Sequence, residues 1–530
     1  MAMFIRRKHV GGHTYLQLVE NRWEDGKTRQ RVVASLGRLD RRQESGELDA
    51  LLKSLARFVR GVTLQDGHAR GDLQAVSIES IGPGLVFGRL WQELEIDRIL
   101  TERLAGRRFE FAVERAVFAT VVHRLFEAGS DRQGLRFLRD VHVPGSDELD
   151  LHHLYRAMRF LGEEKEAVEE ALFSATRDLF SDLRLVFFDT TSLYFHGEGG
   201  DLGAHGHSRD HRPELRQVVV GALLGENGRP ISCEILSGNQ ADVTALLPVI
   251  DRARERFGLS EVCFVADRGM VSDAVIAALE ERGMGYILGA RMRQVKEVRE
   301  EVLSRAGRYE TVTENLEVKE VWVKDRRYIV CRNAEEARKD AADRQAVLAA
   351  LEEKLAQGAK ALVGNRGFRR YLRVEKGALW IDPRKVEAEA RYDGKWVLRT
   401  NHSLPAAEVA LHYKRLLQVE QFFRTAKDVL ETRPIFHKFD STIRGHIFAS
   451  FLALVLMHEL DQRLAKRGWR LEWADVVRDV QELRTVEVEQ DGKRYALRSP
   501  LHGVCGKVLQ AVGVAVPPPV REAPSHGAKA

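Results

Sequence analysis

The order of apolar segments between residues 183 and 290 constrains the fold of this chain more than any other feature. Three apolar runs separated by turn residues come first, and two more then alternate with stretches that have the spacing of amphipathic helices. The predicted strands are Leu185–Asp189, Gln217–Leu224, Pro230–Leu236, Val262–Ala266 and Tyr286–Ala290, and the predicted helices are Thr244–Phe257 and one from Ser272 to Arg282. A meander followed by strands that alternate with helices predicts an α/β fold.

The order β-β-β-α-β-α-β is that of the ribonuclease H-like fold, which we predict for the core. Two of its strands end on a carboxylate: Asp189 closes the first strand and Asp267 directly follows the fourth. If these strands pair, two like charges lie a few ångströms apart, which is costly unless a cation lies between them. Mg²⁺ prefers oxygen ligands and usually takes one or two carboxylates. The pattern therefore favours a magnesium site, although many strand-terminal aspartates only cap loops.

A third carboxylate, Glu420, lies in a predicted long helix from Pro405 to Leu430. Positions seven apart differ by about 20° around a helix, so Tyr413, Glu420 and Lys427 are predicted to share one face. Three carboxylates can hold two metal ions about 4 Å apart, which stabilise the attacking and leaving oxygens of an in-line phosphoryl transfer. Taken alone, an amphipathic helix with incidental polar residues explains Glu420 equally well.

At 530 residues the chain is too long for one compact core, so we predict several domains. They are a basic β unit (1–60) with DNA contact expected, a helical module (61–182), the catalytic core (183–290 and 397–460), a β-rich insertion domain (291–396), a C-terminal helical region (461–515) and a disordered tail (516–530). The helical module could bind terminal repeats, but helical bundles serve many other purposes.

The first 42 residues are basic. They hold ten Lys and Arg against four Asp and Glu, so they carry 10 − 4 = +6, whereas the whole chain carries +5. Two apolar runs, Tyr15–Trp23 and Thr28–Leu36, flank Asp25-Gly26, a dipeptide that favours a hairpin turn. A basic leading segment suits contacts with phosphates, although a solvated surface explains the charge as well.

Other features of the sequence indicate the cellular compartment of the protein. The longest apolar run, Ile447 to Met457, has 11 residues, about half of the ~20 needed to span a bilayer. Arg6, Arg7 and Lys8 are followed by polar residues rather than by the apolar stretch of a signal peptide. We expect a cytoplasmic, nucleoid-associated protein with no membrane segment. Its scattered cysteines are predicted to be buried and reduced: Cys233, Cys263, Cys331 and Cys505.

Several motifs in order resemble the DDE transposases of bacterial insertion sequences, in the group with a Tyr-Arg-Glu-Lys signature around the glutamate. They are FFDTTSLYF, GHSRDHRPE, SGNQAD, VADRGM, YILGAR, DGKWVLRTN and the glutamate helix, and the leading segment YLQLVENRWEDGKTRQRVVASLG resembles one branch of that group. The resemblance implies that Asp189, Asp267 and Glu420 are catalytic metal ligands. It also implies Mg²⁺ as the cofactor, with Mn²⁺ expected to substitute, and a β-strand insertion at 291–396.

The signature departs from its pattern at one position. Tyr413 and Lys427 match its Tyr and Lys, but Leu416 stands where Arg is expected. Arg415 is adjacent, and Arg424 shares the helix face of Glu420 because it follows four residues later. Our hypothesis is that Arg424 supplies the missing cation to a DNA phosphate. The residues predicted to contact DNA are Tyr413, Arg424, Lys427, Arg268 and Arg415.

The function implied by the resemblance is hydrolysis at the end of an element to free a 3′-OH, which then attacks target DNA. The partners implied are double-stranded terminal repeats, target DNA and a second copy of the chain in a homodimer. Two alternatives stay open: a catalytically silent DNA-binding regulator and a structure-selective nuclease. A transition-metal site in a histidine-rich loop is a further, weaker reading, with His196, His205, His207 and His211 as ligands.

Overall fold

The computed structural model describes residues 3–24, 27–48, 50–51, 73–176, 185–258, 263–357, 370–375, 378–490 and 493–522. The chain divides into two compact units. The smaller unit holds residues 1–78, 485–498 and 518–530, and the larger unit holds residues 79–484 and 499–517. The predicted domain boundaries remain predictions.

The elements of the described residues are numbered here in chain order. The strands are β1 (Met3–Val10), β2 (His13–Glu24), β3 (Lys27–Arg38), β4 (Leu73–Ser80), β5 (Leu185–Tyr194), β6 (Gln217–Gly225), β7 (Pro230–Ser237), β8 (Cys263–Ala266), β9 (Gly285–Ala290), β10 (Glu310–Thr313), β11 (Leu316–Val323), β12 (Arg326–Arg332), β13 (Leu372–Glu375), β14 (Ala378–Ile381), β15 (Lys395–Thr400), β16 (Arg484–Gln490), β17 (Lys493–Arg498) and β18 (Val520–Glu522). The α-helices are α1 (Leu39–Glu44), α2 (Gly82–Glu93), α3 (Ile96–Leu104), α4 (Val113–Phe126), α5 (Asp131–Asp140), α6 (Leu151–Glu163), α7 (Lys165–Thr176), α8 (Asp242–Phe257), α9 (Asp273–Glu281), α10 (Ala334–Ala356), α11 (Pro383–Ala390), α12 (Ala406–Lys414), α13 (Leu417–Arg424), α14 (Asp440–Lys466), α15 (Trp473–Gln481) and α16 (Cys505–Ala511).

A mixed sheet forms the centre of the larger unit. Within the described residues it has nine strands in the order β10-β11-β12-β15-β9-β8-β5-β6-β7. The meander β5-β6-β7 is antiparallel, and β8 and β9 then run parallel to β5. The predicted order of three meandering strands followed by alternating helices and strands is confirmed.

One strand is longer than predicted. The sequence predicts that the first core strand ends at Asp189, but β5 continues to Tyr194, so Asp189 lies in its middle. The reason is that β6 pairs along the whole of β5, from Val186 opposite Gly225 to Tyr194 opposite Gln217. The prediction that Asp189 ends its strand is therefore wrong. The prediction that Asp267 directly follows its strand is confirmed, because β8 ends at Ala266.

Strands from the segment at 291–396 extend the same sheet. β12 pairs with β15, which in turn pairs with β9, so β10, β11 and β12 continue the sheet beyond the core strands. β13 and β14 form a separate two-stranded sheet. Helix α10 begins at Ala334, directly after Asn333, whose side chain accepts hydrogen bonds from two backbone amides of the first turn.

The longest apolar helix is α14. Of the described residues, it alone is long and apolar enough to cross a membrane by length and composition, but 83% of its most apolar stretch is buried inside the protein. It packs against α6 and α4. Gly162 and Gly445 allow the close approach to α6, because a Cβ on Gly162 would lie 1.9 Å from the carbonyl oxygen of Ser441. The burial favours a core helix.

Other differences concern shorter elements. Helices α2 and α3 are separated near Glu95, which has a φ of 58°. The tail is not wholly irregular, because β18 pairs with β17; residues 523–530 lie outside the described residues. All four cysteines are buried and free, as predicted.

Among the described residues, the smaller unit contains two sheets. One is antiparallel and has the order β1-β2-β3. The other has the order β18-β17-β16-β4, in which β17 is antiparallel to both β16 and β18. The predicted hairpin of residues 15–36 is confirmed by the pairing of β2 with β3, although Asp25 and Gly26 at its turn lie outside the described residues. The additional strand β1 was not predicted.

Candidate active site

The sheet brings the two predicted aspartates to adjacent strands at one level. The parallel ladder of β5 and β8 pairs Phe188 with Ala266 as its last described pair. Asp189 and Asp267 each follow by one residue. Neighbouring strands lie about 4.8 Å apart, so the two backbones carry these carboxylates at the same register position on adjacent strands.

Both aspartates also project from the same face of the sheet. Leu185 and Phe187 belong to the main hydrophobic core, whereas Val186 and Phe188 belong to a second core on the other face. Alternation along the strand therefore directs Asp189 to the side of the main core. Asp267 has an extended backbone (φ −74°, ψ 158°), and the same alternation places it on that side.

Asp189 is held by its own strand and by a loop. Its Oδ1 accepts a hydrogen bond from the backbone N–H of Thr190 at 2.7 Å. The Arg209 guanidinium lies 3.6 Å from the same oxygen, and the Asp189 side chain is 16% exposed. Arg209 donates to the Thr190 carbonyl and, at 2.9 Å, to the Thr190 hydroxyl. A cation of the protein thus lies next to this carboxylate.

Asp267 is held by Tyr413. The tyrosine hydroxyl donates to Asp267 Oδ1 at 3.0 Å, and the backbone N–H of Gly269 approaches Oδ2 at 3.4 Å. Burial, followed by the charge of Asp267, raises the pKa of Tyr413 far above its usual value, so the hydroxyl keeps its proton and remains a donor. Gly289 makes room for this contact, because a Cβ there would lie 2.5 Å from the tyrosine oxygen.

The long helix predicted from Pro405 to Leu430 is divided into three segments. Helix α12 ends at Lys414, α13 begins at Leu417, and residues Thr425–Val429 form a π-helical turn. Between the two α-helices the backbone makes tighter i→i+3 bonds, such as the one from Gln418 N–H to the Arg415 carbonyl at 2.9 Å. The prediction of one continuous helix is therefore wrong, and the shared face of Tyr413, Glu420 and Lys427 that was inferred from it stays a prediction.

Helix α13 nevertheless packs on the correct side of the sheet. Val419 and Phe423 are buried in the main core, and α13 contacts β5 and β6. Glu420 itself is exposed. Among the described residues, no group of three or more His, Cys, Asp or Glu side chains is close enough to hold a metal ion. The structure thus places the two aspartates on adjacent strands, and Glu420 lies on a helix packed against the same face of the sheet.

A loop residue that the sequence analysis missed organises the other side of the site. Asp210 receives hydrogen bonds from Lys427 at 2.9 Å and from Arg433, and its side chain is only 7% exposed. Burial lowers the pKa of Lys427. The only available signal was the GHSRDHRPE motif, in which Arg209 and Asp210 are consecutive. This pair ties the histidine-rich loop to the region of Asp189 and to Lys427.

The remaining residues predicted to contact DNA differ in whether their side chains already form ion pairs within the protein. Arg415 pairs with Glu226 at 3.0 Å. Arg424 and Arg268 are exposed and make no side-chain ion pair within the described part of the chain. Arg291 instead donates to the backbone carbonyls of Arg268 and Gly269, each at 3.1 Å. Arg424 and Arg268 are thus available to an external anion.

Comparison with known proteins defines the class to which this fold and site belong. Residues 180–456, more than half of the chain, match the model of the transposase DDE domain. The chain therefore belongs to the DDE transposase family, whose members cut DNA and transfer strands. Residues 4–66 match the N-terminal domain of the IS1634 family transposases, which supports an IS1634-type enzyme. The Tyr-Arg-Glu-Lys group remains a prediction.

The chain is also similar to a solved structure, described as a piggyBac transposase synaptic complex with hairpin DNA. The TM-score is 0.37 at 10% sequence identity, over 76% of this chain and 79% of that chain. Among curated proteins, no match is found.

Proposed function

We propose that this chain is a metal-dependent DNA transposase. It binds the terminal repeats of an insertion sequence, hydrolyses the phosphodiester at the boundary to free a 3′-OH, and joins that hydroxyl to target DNA. The observation that carries the proposal is the placement of Asp189 and Asp267 at one register position of adjacent parallel strands, on the sheet face against which the helix of Glu420 packs.

We further propose that the core is ribonuclease H-like. Support comes from the strand order β7-β6-β5-β8-β9, with an antiparallel meander and two parallel strands. The active form is proposed to be a homodimer that holds two DNA ends, in the cytoplasm and associated with the nucleoid.

The residues on the two strands fit a divalent metal ion. Asp189 and Asp267 supply carboxylate oxygens, which are the ligands that Mg²⁺ prefers. We propose Glu420 as a third ligand. When bound, Mg²⁺ supplies charge stabilisation to the attacking and leaving oxygens of an in-line phosphoryl transfer.

The chain's own groups prepare this site. Tyr413 holds the orientation of the Asp267 carboxylate through its 3.0 Å hydrogen bond. Arg209 balances the charge of Asp189 from 3.6 Å. Lys427 is proposed to contact a phosphate near the cleaved strand, which requires exchange of its bond to Asp210. Arg268 and Arg424 provide exposed cations for further phosphates.

The arginine of the family signature can be assigned by comparing two alanine variants. Arg424→Ala is expected to lower strand transfer about tenfold or more, since a charge-assisted contact with a phosphate contributes about 1.5–3 kcal/mol. Arg415→Ala is expected to change it less than about threefold, because Arg415 is already paired with Glu226. Strand transfer is measured on a terminal-repeat duplex with a plasmid target. An unaffected Arg424→Ala together with a strongly impaired Arg415→Ala would reverse the assignment.

The proposed function as a whole is tested with the wild-type protein. Purified protein is incubated with a labelled duplex that carries the terminal repeat, with Mg²⁺ or with EDTA. We expect nicking at the repeat boundary and joining into a plasmid, both only with Mg²⁺. Binding without cleavage would favour the catalytically silent regulator. Cleavage that ignores the repeat and never joins would favour a structure-selective nuclease.

A further inference from the structure

The hairpin of the smaller unit extends beyond the third strand of its sheet. Strand β1 begins at Met3, opposite Glu20, so among the described residues the part of the hairpin after Glu20 has no third-strand neighbour in that sheet. There, residues 21–24 pair with residues 27–30, and no other described strand pairs with them. We call these two segments the ribbon. At about 3.4 Å per residue, each arm of the ribbon is about 13 Å long.

A pair of like charges lies across the ribbon. Arg22 is directly opposite Arg29 in the antiparallel ladder, and like charges in such positions are destabilising. Arg22 is partly neutralised by Glu20 at 2.8 Å. Arg29 is exposed and has no ion pair within the described residues, and exposed Lys27 adds a further cation. An anionic partner would relieve this repulsion.

The opposite face of the ribbon carries side chains with hydrogen-bonding capacity. Asn21 is opposite Gln30, and Trp23 is opposite Thr28. Arg6 of β1 extends over this face and donates to Gln30 and Gln17, each at 2.9 Å. Asn21 Oδ1 is buried and has no hydrogen-bond partner among the described residues, and Trp23 is 74% exposed. Alternation of side chains thus separates an amide-bearing face from an arginine-bearing face.

This arrangement matches the major groove of B-form DNA. The groove is about 12 Å wide and admits a two-stranded ribbon. Asn and Gln amides bond both the N6 and N7 positions of adenine, and Arg bonds O6 and N7 of guanine. Exposed cations on long side chains reach the flanking phosphates. The deep, narrow major groove of an A-form RNA duplex excludes such a ribbon.

We propose that the ribbon enters the major groove of the terminal repeat, with Asn21, Gln30 and Arg6 facing the base edges. Arg22, Arg29 and Lys27 bind phosphates on either side. The inference rests on the proposed function, because it takes the element's DNA as the ligand. It goes beyond that function by naming the surface of the protein that recognises the terminal-repeat sequence and the base contacts by which it does so.

The test measures binding by the full chain in EDTA, so that no cleavage interferes. The probes are a terminal-repeat duplex, a shuffled duplex of equal length and composition, and a double-stranded RNA of the same sequence. The variants are Asn21→Ala combined with Gln30→Ala, the isosteric Gln30→Glu, Arg29→Ala, and a matched control, Arg338→Ala. Arg338 is equally exposed and lies in the larger unit. Circular dichroism and melting temperature verify that each variant folds.

The double alanine variant and Gln30→Glu are expected to lose about tenfold or more in affinity for the terminal repeat. The double alanine variant should change affinity for the shuffled duplex by no more than about twofold, since base contacts carry the selectivity. Arg29→Ala is expected to weaken binding to both DNA duplexes equally and to reduce the salt slope by about 1. Arg338→Ala should match the wild type.

Unchanged selectivity in the folded double variant and in Gln30→Glu would overturn the inference, as would wild-type binding to the RNA duplex as tight as to DNA. A parallel cleavage assay with Mg²⁺ separates this result from the proposed function. If the wild type cleaves the terminal repeat but the ribbon variants bind it as the wild type does, the inference is refuted and the proposed function stands. Loss of selectivity in the variants, together with no cleavage by the wild type, supports the inference and refutes the catalytic proposal.

Discussion

Asp189→Asn and Asp267→Asn are each expected to lower cleavage at the terminal repeat about a thousandfold or more, with end binding unchanged. A metal ion contributes several kcal/mol of transition-state stabilisation, and each 1.36 kcal/mol corresponds to about tenfold in rate. Asparagine keeps the shape of the side chain but removes the negative charge that holds the ion. Single-turnover cleavage with Mg²⁺ and equilibrium binding in EDTA separate the two effects.

Two further variants sharpen this prediction. Asp251→Asn is the control, because it removes an exposed carboxylate paired with Arg282 at 2.9 Å on a helix outside the site; we expect wild-type cleavage. Glu420→Gln is expected to be as inactive as the aspartate variants, which requires Glu420 to approach them in the complex with DNA. Asparagine variants that cleave within about tenfold of the wild-type rate would refute the metal site. Full activity of Glu420→Gln alone would remove only the third ligand.

The strand order of the core was predictable because its strands are buried on both faces, which makes them continuous apolar runs. The end of β5 could not be predicted, since the strand continues through Thr190, Thr191 and Ser192, three polar residues that are nonetheless buried. Their hydroxyls are satisfied in part by Arg209, which bonds Thr190 through its side chain and Ser192 through its backbone. A contact between residues 17 to 19 positions apart is invisible to a local pattern.

The break between α12 and α13 shows a second limit of sequence patterns. Apolar residues recur at helical spacing across it, and Leu416 and Val419 are both buried, so the pattern continues while the backbone tightens into i→i+3 bonds. The positions of Asp189 and Asp267 on adjacent strands followed from the predicted sheet. The partners Arg209 and Asp210 did not, because they reach the site from a loop that no periodicity describes.

The sheet that carries the aspartates is joined to α7 by a buried cluster of charges. Glu169 has no exposed side-chain surface and lies 2.9 Å from Lys165 and 3.0 Å from Arg256. It also accepts hydrogen bonds from the Ser232 hydroxyl at 3.2 Å and from the Cys233 backbone at 2.9 Å on β7. One carboxylate thus satisfies two buried cations and two groups of the edge of the meander.

Glu169→Ala is expected to destabilise the larger unit by about 3–5 kcal/mol, because it leaves the buried Lys165 ammonium without its ion-pair partner. Differential scanning calorimetry should show a transition several degrees lower than in the wild type. Glu170→Ala is the matched control: Glu170 pairs with the same Arg256 at 2.7 Å, but its side chain is 43% exposed. An exposed pair contributes at most about 1 kcal/mol. Equal shifts for the two variants would mean that the buried cations find solvent or other partners, and that Glu169 does not anchor the sheet.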